Sequence, residues 1–484
     1  MKVLIANPPW PGEGFGARSD VRWPHKRSDK FVEYPIYLAY LVSVVRQRGH
    51  QVEFVDAIVE ELDIPAFAAR AATLTPDLAV LECSTPSIEY DLETAAALKA
   101  ALPSLTTVLV GSHPTVFHAE IMAENPAVDV ICRGEYDFTV GDIADALAGG
   151  ERLTGVAGIT WREEGKTRIN PERELIQNLD DIPFPARDVV TSPFYRQGTF
   201  RGKHPTTVVT SRGCPFGCVY CLWPRTLYGR KFRARSAVNV VDELEECIRR
   251  YEVDEVYFDD DSMALDRERM LEMCRLIVAR GLRFEWIAQC RVSSVDEELL
   301  RAMKKAGCRY IRFGVESGSP RMLKVIKKGI TTEQVVRAFK VSRQVGIRTQ
   351  AFFLFGVPGE NAESIRETIG FAKKIQADSA QFAVVIPHPG TELYADTLEA
   401  GTIHYDSWAD FSSCRGMIET AELSLEEVEQ ARVRAYKEFY FRPSYVLRTL
   451  LGIRSWDDFK SIVSSARSIF SRIGFFKARG EAKK

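Results

Sequence analysis

The chain has 484 residues, 45% of them hydrophobic, so it can bury large cores; at roughly 100–200 residues per domain it holds about three domains. Its 64 Lys and Arg nearly balance its 66 Asp and Glu, and a net charge of −2 sets up no overall field that would recruit nucleic acid or membrane. Met1-Lys2, a short apolar run and Pro8-Pro9 do not make a secretory signal, and no apolar run reaches the roughly 18 residues that span a bilayer, so the expected location is the cytoplasm.

The first 150 residues alternate apolar runs with helical patterns. Strands are predicted at 3–6, 52–55, 77–83, 107–110 and 128–132, and helices over 37–48, 90–102 and 140–148. This alternation implies an α/β domain with a parallel, doubly wound, Rossmann-like sheet, whose ligands bind at the carboxyl ends of the strands. Those ends carry Asn7-Pro8-Pro9, Ser84-Thr85-Pro86-Ser87, Gly111-Ser112 and Arg133-Gly134-Glu135. The loop 12–30 places Gly12, Gly14 and Gly16 ahead of Arg18, Arg22, Trp23, His25, Lys26 and Arg27. It reads as a cap over the sheet's carboxyl edge or as a solvated surface loop. Residues 151–204 read as a bridge, with a hairpin over 159–169 turning at Gly165 and an extended linker over 179–187.

A second alternation fills 205–395. Strands at 207–210, 255–258, 284–288, 310–315, 349–355 and 381–386 are separated by helices over 239–250, 267–279, 296–306, 332–345 and 362–375. Six such units make a partial (βα)6 barrel, whose active residues sit at the C-terminal strand ends. The remainder, 396–484, reads as helical. A helix over 425–440 is interrupted by Pro443, after which Trp456, Phe459, Val463, Ala466, Phe470 and Ile473 recur at helical spacing. That basic amphipathic end reads as a helix packed on the protein or as one lying on a membrane surface.

Ten cysteines in a long chain with no secretory signal are not a disulfide framework. Seven are scattered and read as small buried hydrophobes. The other three follow the first barrel strand in Ser211-Arg212-Gly213-Cys214-Pro215-Phe216-Gly217-Cys218-Val219-Tyr220-Cys221. Thiolates are soft ligands for iron–sulfur clusters, and three on one loop hold three irons of a [4Fe-4S] cube and leave the fourth open. The competing reading is structural zinc, which wants four ligands, and no fourth Cys or His stands nearby. Gly213 and Gly217 are expected to let the backbone wrap closely around a cluster.

The C-x3-C-x2-C spacing, with aromatic Tyr220 before the last cysteine, resembles the radical S-adenosylmethionine (SAM) superfamily. That resemblance implies a 5′-deoxyadenosyl radical made by one-electron cleavage of SAM, with a donor such as flavodoxin or ferredoxin. It assigns contacts at successive strand ends. Asp259, Asp260 and Asp261 correspond to the SAM amino-group position. Gln289 and Arg291 follow the third strand, with Arg291 placed for the SAM carboxylate. Glu316 or Ser317 matches the ribose position, Gly356 and Pro358 the adenine side, and Pro387-His388-Pro389-Gly390-Thr391 the family's Pro-x-Pro-Gly-Thr turn. Singly, the Asp run also reads as a helix N-cap and the Pro-Gly pairs as turns.

A doubly wound domain ahead of this barrel resembles the cobalamin-binding branch, which contains methylases, the anaerobic magnesium-protoporphyrin cyclase and hopanoid-biosynthesis enzymes. Ser84-Thr85-Pro86-Ser87, Cys221-Leu222-Trp223-Pro224, Phe258-Asp259-Asp260-Asp261 and Phe439-Tyr440-Phe441-Arg442 look closest to the hopanoid subgroup. The resemblance implies cobalamin, with Ser84, Thr85, Gly111, Ser112 and Glu135 as its contacts. None of the seven histidines (25, 50, 113, 118, 204, 388, 404) stands in D-x-H-x-x-G, so no cobalt ligand from that motif is expected, and Gly111-Ser112 replaces a Gly-Gly pair. The implied activity is functionalisation of an unactivated carbon in a small or lipid-like molecule, by methylation or by rearrangement or ring closure. A domain that binds no corrinoid and a non-catalytic iron–sulfur or corrinoid sensor are the alternatives.

Overall fold

The computed structural model describes residues 1–451 except 11, 13–14, 19–24, 28–29, 197–200 and 412–414. The amphipathic repeat from Trp456 to Ile473, Cys414 and, in the 12–30 loop, Gly14, Arg22 and Trp23 lie outside the described residues.

Seven strands build the N-terminal sheet: β1 (Lys2–Asn7), β2 (Gln51–Asp56), β3 (Leu78–Glu82), β4 (Thr106–Val110), β5 (Val130–Cys132), β6 (Ile159–Glu163) and β7 (Lys166–Ile169), in the order β2-β1-β3-β4-β5-β6-β7. The first five are parallel, and the interior residues of β1, β3, β4 and β5 are buried on both faces because helices cover both, while the edge strand β2 is partly exposed. The hairpin expected in the bridge forms, and it extends this sheet: β6 pairs antiparallel with β5. Its turn carries positive φ at Glu164 and Gly165, the geometry that matches strand twist in tight hairpins. The helix Ile64–Leu74, which apolar periodicity leaves unassigned, is capped by Asp63 and starts with Pro in its first turn.

The second sheet is parallel throughout: β8 (Pro205–Val208), β9 (Glu255–Phe258), β10 (Glu285–Cys290), β11 (Cys308–Glu316), β12 (Arg348–Phe355) and β13 (Ser379–Val384), in chain order. Consecutive pairing with a helix in each crossover is the partial barrel. The helices Arg267–Ala279 and Thr332–Val345 fall where the periodicity places them, the second closed by a Thr331–Gln334 capping box and by Gly346 in the left-handed conformation. The helix Leu425–Tyr440 packs Tyr436 and Phe439 against Phe382 of β13 and covers the last strand. No helix among the described residues is long and apolar enough to cross a membrane.

Candidate active site

The cysteine loop leaves β8 at the C-terminal end of the second sheet. Cys218 is buried, while Cys214 and Cys221 are half-buried, and none of the three is in a disulfide. Gly213 has φ +80°, and a Cβ there would strike the carbonyl oxygens of Tyr228, Gly229 and Lys231, so glycine is required where the loop closes on that segment. Gly217 meets no such obstruction, so the close wrapping expected of both glycines rests on Gly213. Burial, then Asp261 and the Cys218 thiol, pushes the Cys214 thiol up. Thiolates are stable here only if a cation compensates them, and the iron of a cluster does so. Six of the seven other cysteines (83, 132, 247, 274, 290, 308) are buried, as small hydrophobes should be.

The candidate SAM residues divide into those facing the loop and those holding it. Asp260 is fully buried, and its Oδ1 accepts from the Thr210 N–H (3.0 Å), the Thr210 hydroxyl (2.9 Å) and the Ser211 hydroxyl (2.5 Å). It therefore ties the end of β9 to the root of the cysteine loop. Asp259 accepts from Gln289 (3.3 Å), which also donates to the Tyr257 hydroxyl. Asp261 influences Cys214 on one side and Tyr37 of the N-terminal domain on the other. Arg291 stacks over Phe216 at 3.5 Å and donates to the Lys328 carbonyl, while its Nε is buried with no partner. That free donor suits a carboxylate.

Glu316 ends β11 at φ +67°, an uncommon conformation for a non-glycine residue, beside a register shift between β11 and β12. Its Oε1 accepts from Lys328 Nζ at 2.6 Å, and Oε2 is buried with no hydrogen-bond partner. A buried carboxylate oxygen so placed is costly unless a ligand hydroxyl meets it. Ser317 instead bonds Thr368 (2.9 Å) and the Ser319 N–H, so of the two ribose candidates Glu316 is the one with an acceptor to spare. Lys328, which spacing did not single out, also reaches the Tyr220 hydroxyl (3.4 Å) and so links the cysteine loop to β11. Only its contacts reveal it, because it lies outside any strand end. At the end of β12, Gly356 (φ +84°) donates its N–H to Glu360 (2.6 Å) and packs on Val428 of the helix Leu425–Tyr440. Pro358 lies in the same turn, and burial lifts the Glu360 carboxyl to about 7. His388, after β13, is buried with both ring nitrogens unpartnered, and burial lowers it to about 4.

The ends of the N-terminal strands meet this site. Arg212, two residues before Cys214, forms a bidentate pair with Asp137 (2.6 and 2.9 Å) and bonds Glu135 (2.8 Å). Glu135 also accepts from Arg233 (2.8 Å) and the Ile176 N–H (2.9 Å). All four side chains are 2% exposed. Glu135, expected at a cofactor, is thus placed in the latch between the two sheets, with its oxygens occupied by arginines. Gly390 packs between Thr226 and Val116, and Trp408 packs on His113 and Phe117, so both sheets present their carboxyl ends to one space.

On the N-terminal side of that space, Ser84, Thr85 and Ser112 are buried beside His113, whose Nδ1 lies 3.2 Å from the Thr85 hydroxyl. Gly111, at φ +122°, lies against the Cys83 carbonyl where no side chain fits. These hydroxyls and turns fit the amide and phosphate groups of a corrinoid tail. Arg18 is buried at the end of β1, bonded to Asn7 (2.9 Å), the Pro8 and Pro9 carbonyls, Ser87 and Asp91 (2.5 Å). The part of the glycine-basic loop that is described therefore plugs this edge with a guanidinium, which ligates no metal.

A cysteine loop of this form at the mouth of a partial parallel barrel defines a radical SAM enzyme, and the profile of that superfamily matches residues 208–372. The B12 binding domain profile matches residues 26–144. The chain is 33% identical over 417 residues to an uncharacterized methyltransferase of Pyrococcus horikoshii, covering 86% of this chain and 90% of that one. It is 29% identical over 403 residues to the anaerobic magnesium-protoporphyrin IX monomethyl ester cyclase of Rubrivivax gelatinosus (82% and 70% covered). The hopanoid C-3 methylase of Methylococcus capsulatus stands further off, at 26% over 368 residues (74% and 68% covered), so the hopanoid subgroup is not singled out. In fold, the cobalamin-dependent SAM radical enzyme OxsB superposes with a TM-score of 0.74 at 17% identity, over 98% of this chain and 72% of that one. The protein belongs to the cobalamin-dependent radical SAM methyltransferase family, and its cofactors are a [4Fe-4S] cluster, SAM and cobalamin.

Proposed function

We propose that this enzyme methylates an unactivated carbon of a small or lipid-like substrate. The observation that carries the reading is the buried Arg212–Glu135–Asp137–Arg233 latch, which fastens the cobalamin-type sheet and the cysteine loop carboxyl end to carboxyl end. When bound, the cluster and SAM supply a hydrogen-abstracting radical and cobalamin supplies a methyl group. The protein's part is placement. Cys214, Cys218 and Cys221 hold the cluster. Glu316, oriented by Lys328, receives the ribose, and Arg291 offers its free Nε to the carboxylate. His388, kept neutral by burial, offers one donor and one acceptor to a polar group of the substrate beside the apolar Ile386, Phe411 and Met417 cluster. Trp408, Tyr405 and Phe411 pack in tilted and edge-on contacts at the joint of the two halves, where the fully buried Phe411 keeps water out.

The similarity to a cyclase supports a second reading, radical rearrangement or ring closure without methyl transfer. The two differ in products. Anaerobic enzyme reconstituted with iron, sulfide and cobalamin is given methyl-deuterated SAM, dithionite and a small-molecule extract. Methylation yields S-adenosylhomocysteine and a product carrying the labelled methyl. Ring closure yields 5′-deoxyadenosine without S-adenosylhomocysteine. Absence of labelled product and of S-adenosylhomocysteine with cobalamin bound overturns the methylation reading, and 5′-deoxyadenosine formation removes the sensor alternative.

A further inference from the structure

The cysteine loop reaches the surface at its tip. Pro215 is exposed and Phe216 and Gly217 are half-buried, whereas Arg212, Gly213, Cys218 and Val219 on either side are buried. The end of the helix Pro320–Val325 lies beside this tip: the Val219 N–H donates to the Ile326 carbonyl (3.3 Å), and Val325 is 41% exposed. Pro215 and Val325 give the surface an apolar centre, and cations bracket it. On one side Arg230 Nη1 lies 3.7 Å from where a Gly217 Cβ would be, with Lys231 next in the chain; on the other stand Lys324 and Lys327. All four are exposed. Lys327 shares Glu392 with Arg225, and Lys231 donates to the neutral Gln177 (2.8 Å). Arg230, Lys231 and Lys324 form no ion pair among the described residues, so this rim is locally positive in a chain whose net charge is −2.

We propose that this surface docks a small acidic one-electron carrier, a protein of the flavodoxin or ferredoxin kind, and that the cluster takes its electron there. Cleavage of SAM consumes one electron, which enters from outside the chain. That electron leaves the carrier's reduced flavin or iron–sulfur centre, which is oxidised, and passes to the cluster held by Cys214, Cys218 and Cys221, which is reduced; no bond forms or breaks in the step. An apolar centre inside a charged rim is the anatomy of a protein interface, and electron-transfer encounters are small and transient ones. Opposite charge on the carrier raises the rate of encounter. Elsewhere the loop is covered: Arg212 is latched to Asp137 and Glu135 on the side of the N-terminal domain, and Arg291 stacks over Phe216 on the inner side. Docking at the tip leaves the space between the two sheets to the substrate. The proposal therefore rests on radical SAM chemistry and not on whether the product is methylated or ring-closed.

The test is stopped-flow reduction of the reconstituted holoenzyme, followed by bleaching of the cluster absorbance. The reductants are reduced flavodoxin and, separately, reduced methyl viologen, a small cation that needs no docking surface. For the wild type, the flavodoxin rate falls about tenfold or more between about 0.05 M and about 0.5 M salt. Arg230→Glu with Lys324→Glu lowers the flavodoxin rate about tenfold or more at low salt, keeps wild-type iron content, and leaves reduction by methyl viologen at the wild-type rate or above. Lys231→Glu alone gives a smaller loss in the same direction, about threefold. Arg249→Glu with Arg250→Glu, the same charge change at exposed pairs on another helix, stays within about twofold of the wild type. The proposal is overturned if flavodoxin reduces the Arg230 and Lys324 variant as fast as the wild type, or if salt leaves the wild-type rate unchanged. It is also overturned if the Arg249 and Arg250 variant slows as much, or if the Arg230 and Lys324 variant and Lys231→Glu lose flavodoxin and methyl viologen reduction in equal measure.

Discussion

Replacing Arg212 by Met tests the joint between the two halves. The guanidinium bonds both oxygens of Asp137 and one of Glu135, and lies 4.9 Å from the Tyr228 ring centroid. Methionine keeps much of the volume and removes the charge. Glu135 retains Arg233 and the Ile176 N–H, but Arg212 is the source of both bonds that Asp137 accepts. A buried carboxylate stripped of its cation costs about 3–5 kcal/mol. Melting temperature therefore falls by about 5 °C or more. Adding Asp137→Leu removes the stranded charge and restores at least half of that loss, a coupling of about 2 kcal/mol or more in a double-mutant cycle. Because Arg212 is two residues from Cys214, iron content of the reconstituted single variant falls too, while Arg250→Met, at an exposed surface pair, changes neither. If Arg212→Met melts within about 1 °C of the wild type and keeps its iron, the latch does not join the halves as described.

Lys328→Met leaves the cluster intact by its electron paramagnetic resonance signal and iron count, and weakens SAM binding about tenfold or more, because Glu316 loses its one charged partner among the described residues. Glu360 and His388 give opposite pH dependences of stability. Glu360 titrates near 7 folded against 4.5 as the ordinary value, so the unfolded chain loses its proton first and this contribution to stability declines as pH rises from about 4.5 to 7; Glu360→Gln flattens that decline in melting temperature. His388 titrates near 4 folded against 6.5, so its contribution is full above about 6.5 and is lost as pH falls through 4. His388→Phe removes that loss and, by deleting two unpartnered buried nitrogens, raises the melting temperature by about 2 °C or more while lowering product formation and sparing SAM cleavage.

How much of this was legible in the sequence depends on how local each signal is. Strand β9 and the helices Arg267–Ala279 and Thr332–Val345 were readable because period-2 and period-3.6 patterns and their caps are written in neighbouring residues. The cysteine loop was readable because cluster ligation needs three thiolates on one short turn. The helix Ile64–Leu74 was not, since its alanine-rich run gives weak apolar contrast and Pro65 resembles a breaker rather than a first-turn residue. Charge pairing across the fold is invisible to spacing. Glu135 follows a strand end in a ligand-binding fold, which predicts a cofactor contact, yet its partners Arg212 and Arg233 lie 77 and 98 residues away. Asp259, Asp260 and Asp261 look interchangeable as letters and separate only in three dimensions, where Asp260 turns inward to Thr210 and Ser211.

That separation has a consequence for how the two halves work together. Each sheet contributes acidic residues at its carboxyl end, and the arginines that neutralise Glu135 and Asp137 come from the cysteine loop and the strand paired with it. The loop therefore has two anchors on adjacent residues, one to each half. Asp260 holds its root to the barrel through Ser211, and one residue later Asp137 holds it to the cobalamin-type domain through Arg212. Movement of one domain against the other would be felt directly at Gly213, where contact with the Tyr228 to Lys231 carbonyls leaves no room for a side chain. Substituting Gly213 by Ala strains that turn even with every ligand cysteine present, because φ +80° and the contact both exclude a Cβ. Iron content should then drop well below that of Gly217→Ala, whose site is open, and equal iron content in the two variants would show that the loop is held by its ligands rather than by the fold.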